Sequence, residues 1–265
     1  MPALLDRASA VATTHYDLLR VELGSEVMGV WLIGSAILGD LTVRSDVDTL
    51  TLTARPLETA DTPALERVHH QLLQEFPDLA YDTTYLSVAT LSEPAVPGLI
   101  TPFSVDGRLH VGKPAGEVHP VTWLTLPEAL PAAGIDPGRV NVAADRAAAE
   151  AYTRGNLQTY WASVAEGLRL QLAGRHPDEE LEGSATLQWV VLGAPRLAAF
   201  LSGMRTTGPI PSKSEAGRWV IDALPRHADL AKRALQARSG ARVSFTVADA
   251  LEAVDLVSTI VHGHG

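Results

Sequence analysis

The chain opens with apolar residues at helical spacing. Leu4, Leu5, Ala8, Val11, Ala12, His15, Leu18 and Leu19 fall near one face of a helix predicted over about Ala3–Leu23, with Gly24 as its C-cap. The period then shortens. Val30-Trp31-Leu32-Ile33 and Leu50-Thr51-Leu52-Thr53 are short apolar runs, read as two strands. The Gly34-Ser35 pair leaves the first of them, and one short helix, opened by Ser35, is expected before the second. Helical spacing returns over Pro63–Gln74 through Leu65, Val68, Leu72 and Leu73, and Pro77 ends it. His69 and His70 are adjacent, so they face different ways, and both are expected on that helix's surface. Leu79–Leu91 is dominated by β-branched and aromatic residues and predicts a strand. Residues 92–120 are rich in Pro and Gly, with Leu99-Ile100 and Leu109-His110-Val111 as pieces of one or two further strands.

From about Val121 the chain reads as helices. A short one to Leu130 is followed by a loop marked by Pro131, Gly134, Pro137 and Gly138. A long one over about 142–172 carries the stripe Leu157, Tyr160, Trp161, Val164, Leu168 and Leu172. Ser184–Ser202 is apolar nearly all round, with Arg196 inside it as either a phosphate ligand or a structural ion-pair partner. Ser212 and Glu215 form a capping box at the start of a helix to about Leu224, which sets Lys213 in the first turn. The helix dipole disfavours a cation there unless an anion sits opposite. Helices over about 226–237 and 247–262 close the chain. The expected class is α+β: a mixed sheet with flanking helices over residues 1–118, then an α-helical bundle over residues 119–265.

Composition narrows the function. There is no cysteine among the 265 residues, which excludes disulfides and thiolate metal sites. No apolar run is long enough to span a bilayer, so a cytoplasmic protein without membrane contact is expected. The formal net charge of −10 argues against a nucleic-acid polymer as partner, because phosphate backbones attract Lys and Arg. It fits a small cationic partner better. The acidic stretch Asp178, Glu179, Glu180 and Glu182 between Gly174 and Gly183 is either a solvated loop or the counter-charge for such a partner.

The chemistry concentrates between residues 34 and 48. Gly34-Ser35 is followed, after a gap, by Ser45-Asp46-Val47-Asp48 at the head of the second strand. Alternate strand residues share a face, so Asp46 and Asp48 lie on one side. Two carboxylates that close repel by roughly 4 kcal/mol at an effective dielectric near 20. A divalent cation offsets this, and Mg²⁺ suits a site of one or two carboxylates completed by substrate phosphates. Gly34 lets backbone approach a ligand, and Ser35 places N–H groups where phosphate is attracted. A nucleoside triphosphate with its metal follows. Asp82, inside the third strand where aspartate is disfavoured, is the remaining candidate.

Gly-Ser, a gap, then Ser-Asp-x-Asp resembles the nucleotidyltransferase superfamily built on the DNA polymerase β-type catalytic fold. The whole chain resembles, within it, the aminoglycoside adenylyltransferases of the streptomycin/spectinomycin 3″-adenylyltransferase type. That resemblance implies Mg²⁺ held by Asp46, Asp48 and Asp82, with Asp82 in a place where the family carries Glu and uses it as metal ligand or proton acceptor. It implies ATP held by Gly34, Ser35 and Ser45, with Arg196 and Lys213 on its phosphates. Ile210-Pro211-Ser212-Lys213 matches the family's helix start. The expected activity is transfer of AMP from ATP to a hydroxyl of a small, cationic, aminoglycoside-type acceptor by a monomer or weak dimer. The alternatives are a nucleotidyltransferase acting on a protein, an RNA end or another metabolite, and a non-catalytic nucleotide- or drug-binding module.

Overall fold

The computed structural model describes residues 2–183, 185–204, 206 and 208–263. The chain divides into two compact units, Met1–Leu41 with Ser45–Ala149, and Thr42–Arg44 with Glu150–Gly265. The first unit contains α1 (Pro2–Leu23), β1 (Val27–Leu32), β2 (Val47–Thr53), α2 (Thr62–Glu75), β3 (Tyr81–Ser87) and a single helical turn, α3 (Val88–Leu91). It continues through β4 (Phe103–Val105), β5 (Arg108–His110), α4 (Pro120–Thr125) and β6 (Leu130–Gly134). The strands form one sheet in the order β5-β4-β3-β2-β1-β6. β2 and β3 are parallel, joined by α2 as their crossover, and every other pair is antiparallel. The expected mixed sheet with flanking helices is therefore present.

Strand alternation splits the core into two layers. Val30 and Leu32 pack under α1 and α2 against Ala8, Val11, Leu65, Val68 and Leu72. Trp31 and Ile33 point the other way and join Leu50, Leu52, Leu86, Leu91, Trp123 and Leu126. Trp123 is buried, with its indole N–H donating to the Glu93 carbonyl at 3.0 Å, so it anchors this second layer and offers no free aromatic face.

Apart from residues 42–44, the chain passes from the first compact unit to the second at 149/150. The segment 131–134, read from its Pro and Gly as loop, is the edge strand β6 and pairs with β1 from Gly29↔Gly134 to Leu32↔Leu130. Pro131 is tolerated because an edge strand has one side free of ladder bonds. A Cβ on Gly134 would lie 2.3 Å from the Met28 carbonyl oxygen, so close backbone approach selects glycine there. Leu99-Ile100 is not a strand; Ile100 makes only an isolated bridge to Pro114.

The second unit is helical: most of α5 (Arg146–Asn156), a π-helical turn (Leu157–Trp161), α6 (Ala162–Leu172), α7 (Ala185–Leu201), α8 (Lys213–Ala223), α9 (Ala228–Arg238) and α10 (Val247–Gly263). The helix expected from 142 starts at Arg146, where the Asp145 carboxylate accepts the N–H groups of Ala147 and Ala148 at 2.8 and 3.2 Å. Ser184, expected to open the apolar helix, lies outside the described residues. Leu157, Trp161, Leu172, Val190, Leu192, Val220, Leu230, Val254 and Val257 are among its core. A Cβ on Gly193 would meet Trp161 at 2.6 Å, which lets that indole stack on Trp189 with ring centroids 4.7 Å apart.

His69, expected on the surface, is 3 % exposed. Its Nε2 bonds the Tyr85 hydroxyl at 2.8 Å, which also meets His15 Nε2 at 2.9 Å; His15 Nδ1 lies 2.7 Å from the Tyr81 hydroxyl. The Gly107 main chain beside the buried His69 ring pulls its pKa slightly upward, against the larger effect of burial. Burial therefore holds His15 well below its ordinary value and brings His69 down to about 4. A histidine depressed in the folded state binds protons more readily when unfolded. The histidines' contribution to stability is complete above about pH 6.5 and declines as pH falls toward 4, by about 3 kcal/mol from His69 alone. Denaturant titrations of wild type and His69→Leu across that range are expected to show a clearly flatter pH dependence in the variant.

Candidate active site

Parallel pairing of β2 with β3 sets Asp48 directly beside Asp82, with Cα partners running from Val47↔Tyr81 to Thr53↔Ser87. Asp46 stands one residue before β2 and is exposed, while Asp48 is half-buried. The Val47 N–H donates to the Ala80 carbonyl at 2.9 Å, so the parallel ladder begins between these two carboxylates. Ser45 is half-buried ahead of Asp46. Thr49 turns to the opposite face and donates to the Tyr81 hydroxyl and the Asp82 carbonyl, each at 3.0 Å.

Gly34 adopts a left-handed backbone with φ +60°, and a Cβ there would lie 2.2 Å from Asp48 Oδ2. The Ile33 N–H donates to the Asp48 carbonyl at 3.0 Å. The Gly-Ser turn is thus seated on Asp48, and a side chain at Gly34 would strain the backbone and displace the Asp48 carboxylate. The short helix expected after it is absent: residues 34–39 form turns. Gly39, at φ +62°, stops the winding after one turn, with Asp40 N–H donating to the Ser35 carbonyl at 3.0 Å. A single turn has no appreciable macrodipole, so any anion at Ser35 would be held by the N–H groups of the turn themselves.

Asp48 and Asp82 line one cavity of about 290 Å³ with Ile33, Thr83, Thr84, Phe103, Ser104 and Glu117. Burial pushes the Asp82 carboxyl up to about 6. The Asp106 N–H, which donates to Asp82 Oδ1 at 2.7 Å, works against that rise, while the negative charges of Asp46, Asp106 and Glu117 add to it. Asp46, Asp82 and Glu117 are therefore electrostatic neighbours. Among the described residues no three His, Asp or Glu side chains are gathered closely enough to hold a metal ion by themselves.

The donors present are all carboxylate oxygens, the chemistry of a hard cation such as Mg²⁺, and Asp48 and Asp82 are adjacent. This set fits Mg²⁺ in the mode where substrate phosphates complete the coordination, rather than a cage supplied wholly by protein.

Two expected residues belong to the helical unit. Arg196 is half-buried on α7, directly after Pro195, whose missing N–H leaves the Val191 carbonyl without its helical donor. Lys213 opens α8 and is half-buried; the capping box is formed, with Ser212 accepting from Glu215 N–H at 3.1 Å and Glu215 from Ser212 N–H at 2.8 Å. The acidic connection after Gly174 lines a cavity of about 430 Å³ within this unit. Its Glu179 is already matched to Arg175 at 2.7 Å, which holds the Glu179 carboxyl below its ordinary value. Glu117 and Asp106 are not apparent as site residues in the sequence. The Asp106-Gly107 dipeptide signals a hairpin, but nothing in residues 92–120 marks Glu117.

The fold is that of a solved adenyltransferase. The spectinomycin adenyltransferase AAD(9) from Enterococcus faecialis, solved with ATP and spectinomycin, superposes with a TM-score of 0.68 at 13% identity, covering 96% of this chain and 98% of that one. No protein-family model and no curated protein matches the chain. No helix among the described residues is long and apolar enough to cross a membrane.

Because Asp82 is raised in the folded state above its unfolded value, its ionised form costs stability at neutral pH, and that cost is relieved as pH falls through about 6. Asp82→Asn is expected to raise Tm at pH 7.5. In carbon NMR of the metal-free protein the Asp82 carboxyl is expected to titrate near 6. Asp46→Asn, which removes a like charge, moves that midpoint down.

Proposed function

We propose that the protein transfers AMP from ATP to a hydroxyl of a small, cationic, aminoglycoside-type acceptor. The observation that carries this reading is the register of β2 on β3, which sets Asp48 and Asp82 side by side in one cavity beneath the Gly34 turn. The shared fold with an adenyltransferase solved with ATP and spectinomycin supports the same chemistry.

In this reading Asp46, Asp48 and Asp82 hold Mg²⁺, which when bound supplies charge neutralisation at the triphosphate. Gly34 leaves room for the Asp48 carboxylate, and the N–H groups of the Ser35 turn, with Ser45, bind phosphate oxygens. Asp82 accepts or directs the proton of the attacking hydroxyl. Lys213 and Arg196 neutralise the departing pyrophosphate. The cavity wall is anionic through Asp48, Asp82 and Glu117, which favours a cationic acceptor and disfavours an acidic one. Phe103 supplies the apolar surface against which a sugar or cyclitol ring packs. A reaction that consumes ATP fits the cytoplasmic location expected from the sequence.

Incubation with labelled ATP, Mg²⁺ and a panel of aminoglycosides and aminocyclitols, followed by mass analysis, tests the activity. A mass increase of one AMP on at least one acceptor is expected, with release of pyrophosphate. Asp48→Asn is expected to lower kcat by about a thousandfold or more, with circular dichroism and Tm close to wild type. Adenylylation confined to proteins or RNA ends would reassign the acceptor. Full activity of Asp48→Asn would rule the mechanism out.

A further inference from the structure

The loop between β4 and β5 is two residues long, Asp106-Gly107, and both have positive φ, 51° and 72°. This is the requirement of a type I′ hairpin turn, for which Asp-Gly is a favoured pair. Asp106 is the one non-glycine residue with positive φ among the described residues. The tip is tied to β3 beyond the two ladder pairs Thr83↔Ser104 and Thr84↔Phe103. The Gly107 N–H donates to the Tyr81 carbonyl at 2.9 Å, and Ser104 Oγ donates to the same carbonyl at 3.2 Å while accepting from Thr83 N–H at 3.1 Å. On its other side the tip rests on α2. A Cβ at Gly107 would meet Leu73 Cδ2 at 2.6 Å.

We propose that the Asp106–Gly107 tip is a positioning element for Asp82: its main-chain N–H, fixed by Tyr81 on one side and Leu73 on the other, holds Oδ1 so that the second carboxylate oxygen is aimed for the transfer step. The proposal rests on the adenylyl-transfer reading of the same cavity. Its physical basis is that a main-chain donor inside a pinned turn has almost no freedom of its own. A carboxylate bonded to it loses its side-chain torsions at little further entropic cost. Aspartate is one methylene shorter than glutamate and has one torsion fewer, so a single fixed donor suffices to define the whole side chain. Gly107 acts through Asp82 and touches no substrate in this arrangement, which makes it a positioning residue.

The test separates positioning from folding. Gly107→Asn pushes the tip off Leu73 with a residue that tolerates positive φ, and Leu73→Ala restores the space while removing packing from α2. Gly107→Asn is expected to lower kcat by about tenfold to a hundredfold with the KM for ATP within about twofold. Adding Leu73→Ala is expected to recover most of kcat even as Tm falls further, a combination that a purely structural role does not produce. In amide NMR of the metal-free protein the Asp106 N–H is expected well downfield. It should shift upfield in Gly107→Asn, return in the double variant, and shift upfield in Asp82→Ala, which leaves the turn intact. An Asp106 amide that ignores Asp82→Ala, or a kcat loss that Leu73→Ala fails to recover, overturns the proposal. The amide measurement needs no turnover, so the two readings fail separately. Absence of AMP transfer in the wild type would sink the functional reading, whereas the Asp106–Asp82 bond stands or falls on the amide shifts.

Discussion

Two parallel strands in one register hold the site together. Asp48 on β2 and Asp82 on β3 are Cα partners, and the ladder that pairs them runs unbroken from Val47↔Tyr81 to Thr53↔Ser87. A slip of one residue would turn every side chain of one strand to the opposite face and separate the carboxylates. The slip is opposed along the whole length of β2, because Leu50 and Leu52 would leave one core layer and Val47 the other. The hydrophobic pattern of the sheet and the geometry of the acidic site are thus one constraint, and the burial that stabilises the first enforces the second.

Placing acids in such a sheet has an electrostatic cost, and the structure shows where it is felt. Asp82 is raised to about 6 by burial and by its carboxylate neighbours, and the Asp106 N–H recovers part of that. A cation entering the cavity would relieve the remainder, so ligand affinity and folded-state strain are coupled: what destabilises the empty carboxylates favours their ligand. Beneath the same strand, Tyr81, His15, Tyr85 and His69 form a buried hydrogen-bonded cluster whose pH response has the opposite sign. Acid relieves Asp82 and loads the histidines. The first unit therefore carries two titrating clusters, on opposite faces of β3, that pull against each other between about pH 4 and 6.

Much of this is legible in the amino-acid sequence alone. Helical spacing locates α1, α2 and most of the helical unit, and the capping box at Ser212 and Glu215 marks the start of α8. Alternation and the disfavoured place of Asp82 mark the acidic positions of β2 and β3, while the neighbouring of the two strands comes from the resemblance to the nucleotidyltransferase superfamily alone. What escapes has identifiable causes. β6 carries Pro131 and Gly134, which read as punctuation unless the strand is known to be an edge packed against Gly29. The turn after Gly34 looks helical because its residues are compatible with helix, yet Gly39 ends it within one turn. His69 looks like surface because a histidine at the margin of an apolar stripe carries no sign of the tyrosines that will meet it. Glu117 and the Asp106 N–H reach Asp82 only through tertiary folding, and no local pattern announces a main-chain donor.

A crystal structure with Mg²⁺ and a non-hydrolysable ATP analogue puts the acidic register to the decisive trial. Metal density bridging the triphosphate to Asp46 and Asp48, with the Asp82 carboxylate beside it and still bonded to the Asp106 N–H, is the expected outcome. A nucleotide bound elsewhere, or a triphosphate whose metal makes no bond to Asp48, would show that these paired carboxylates serve some other purpose.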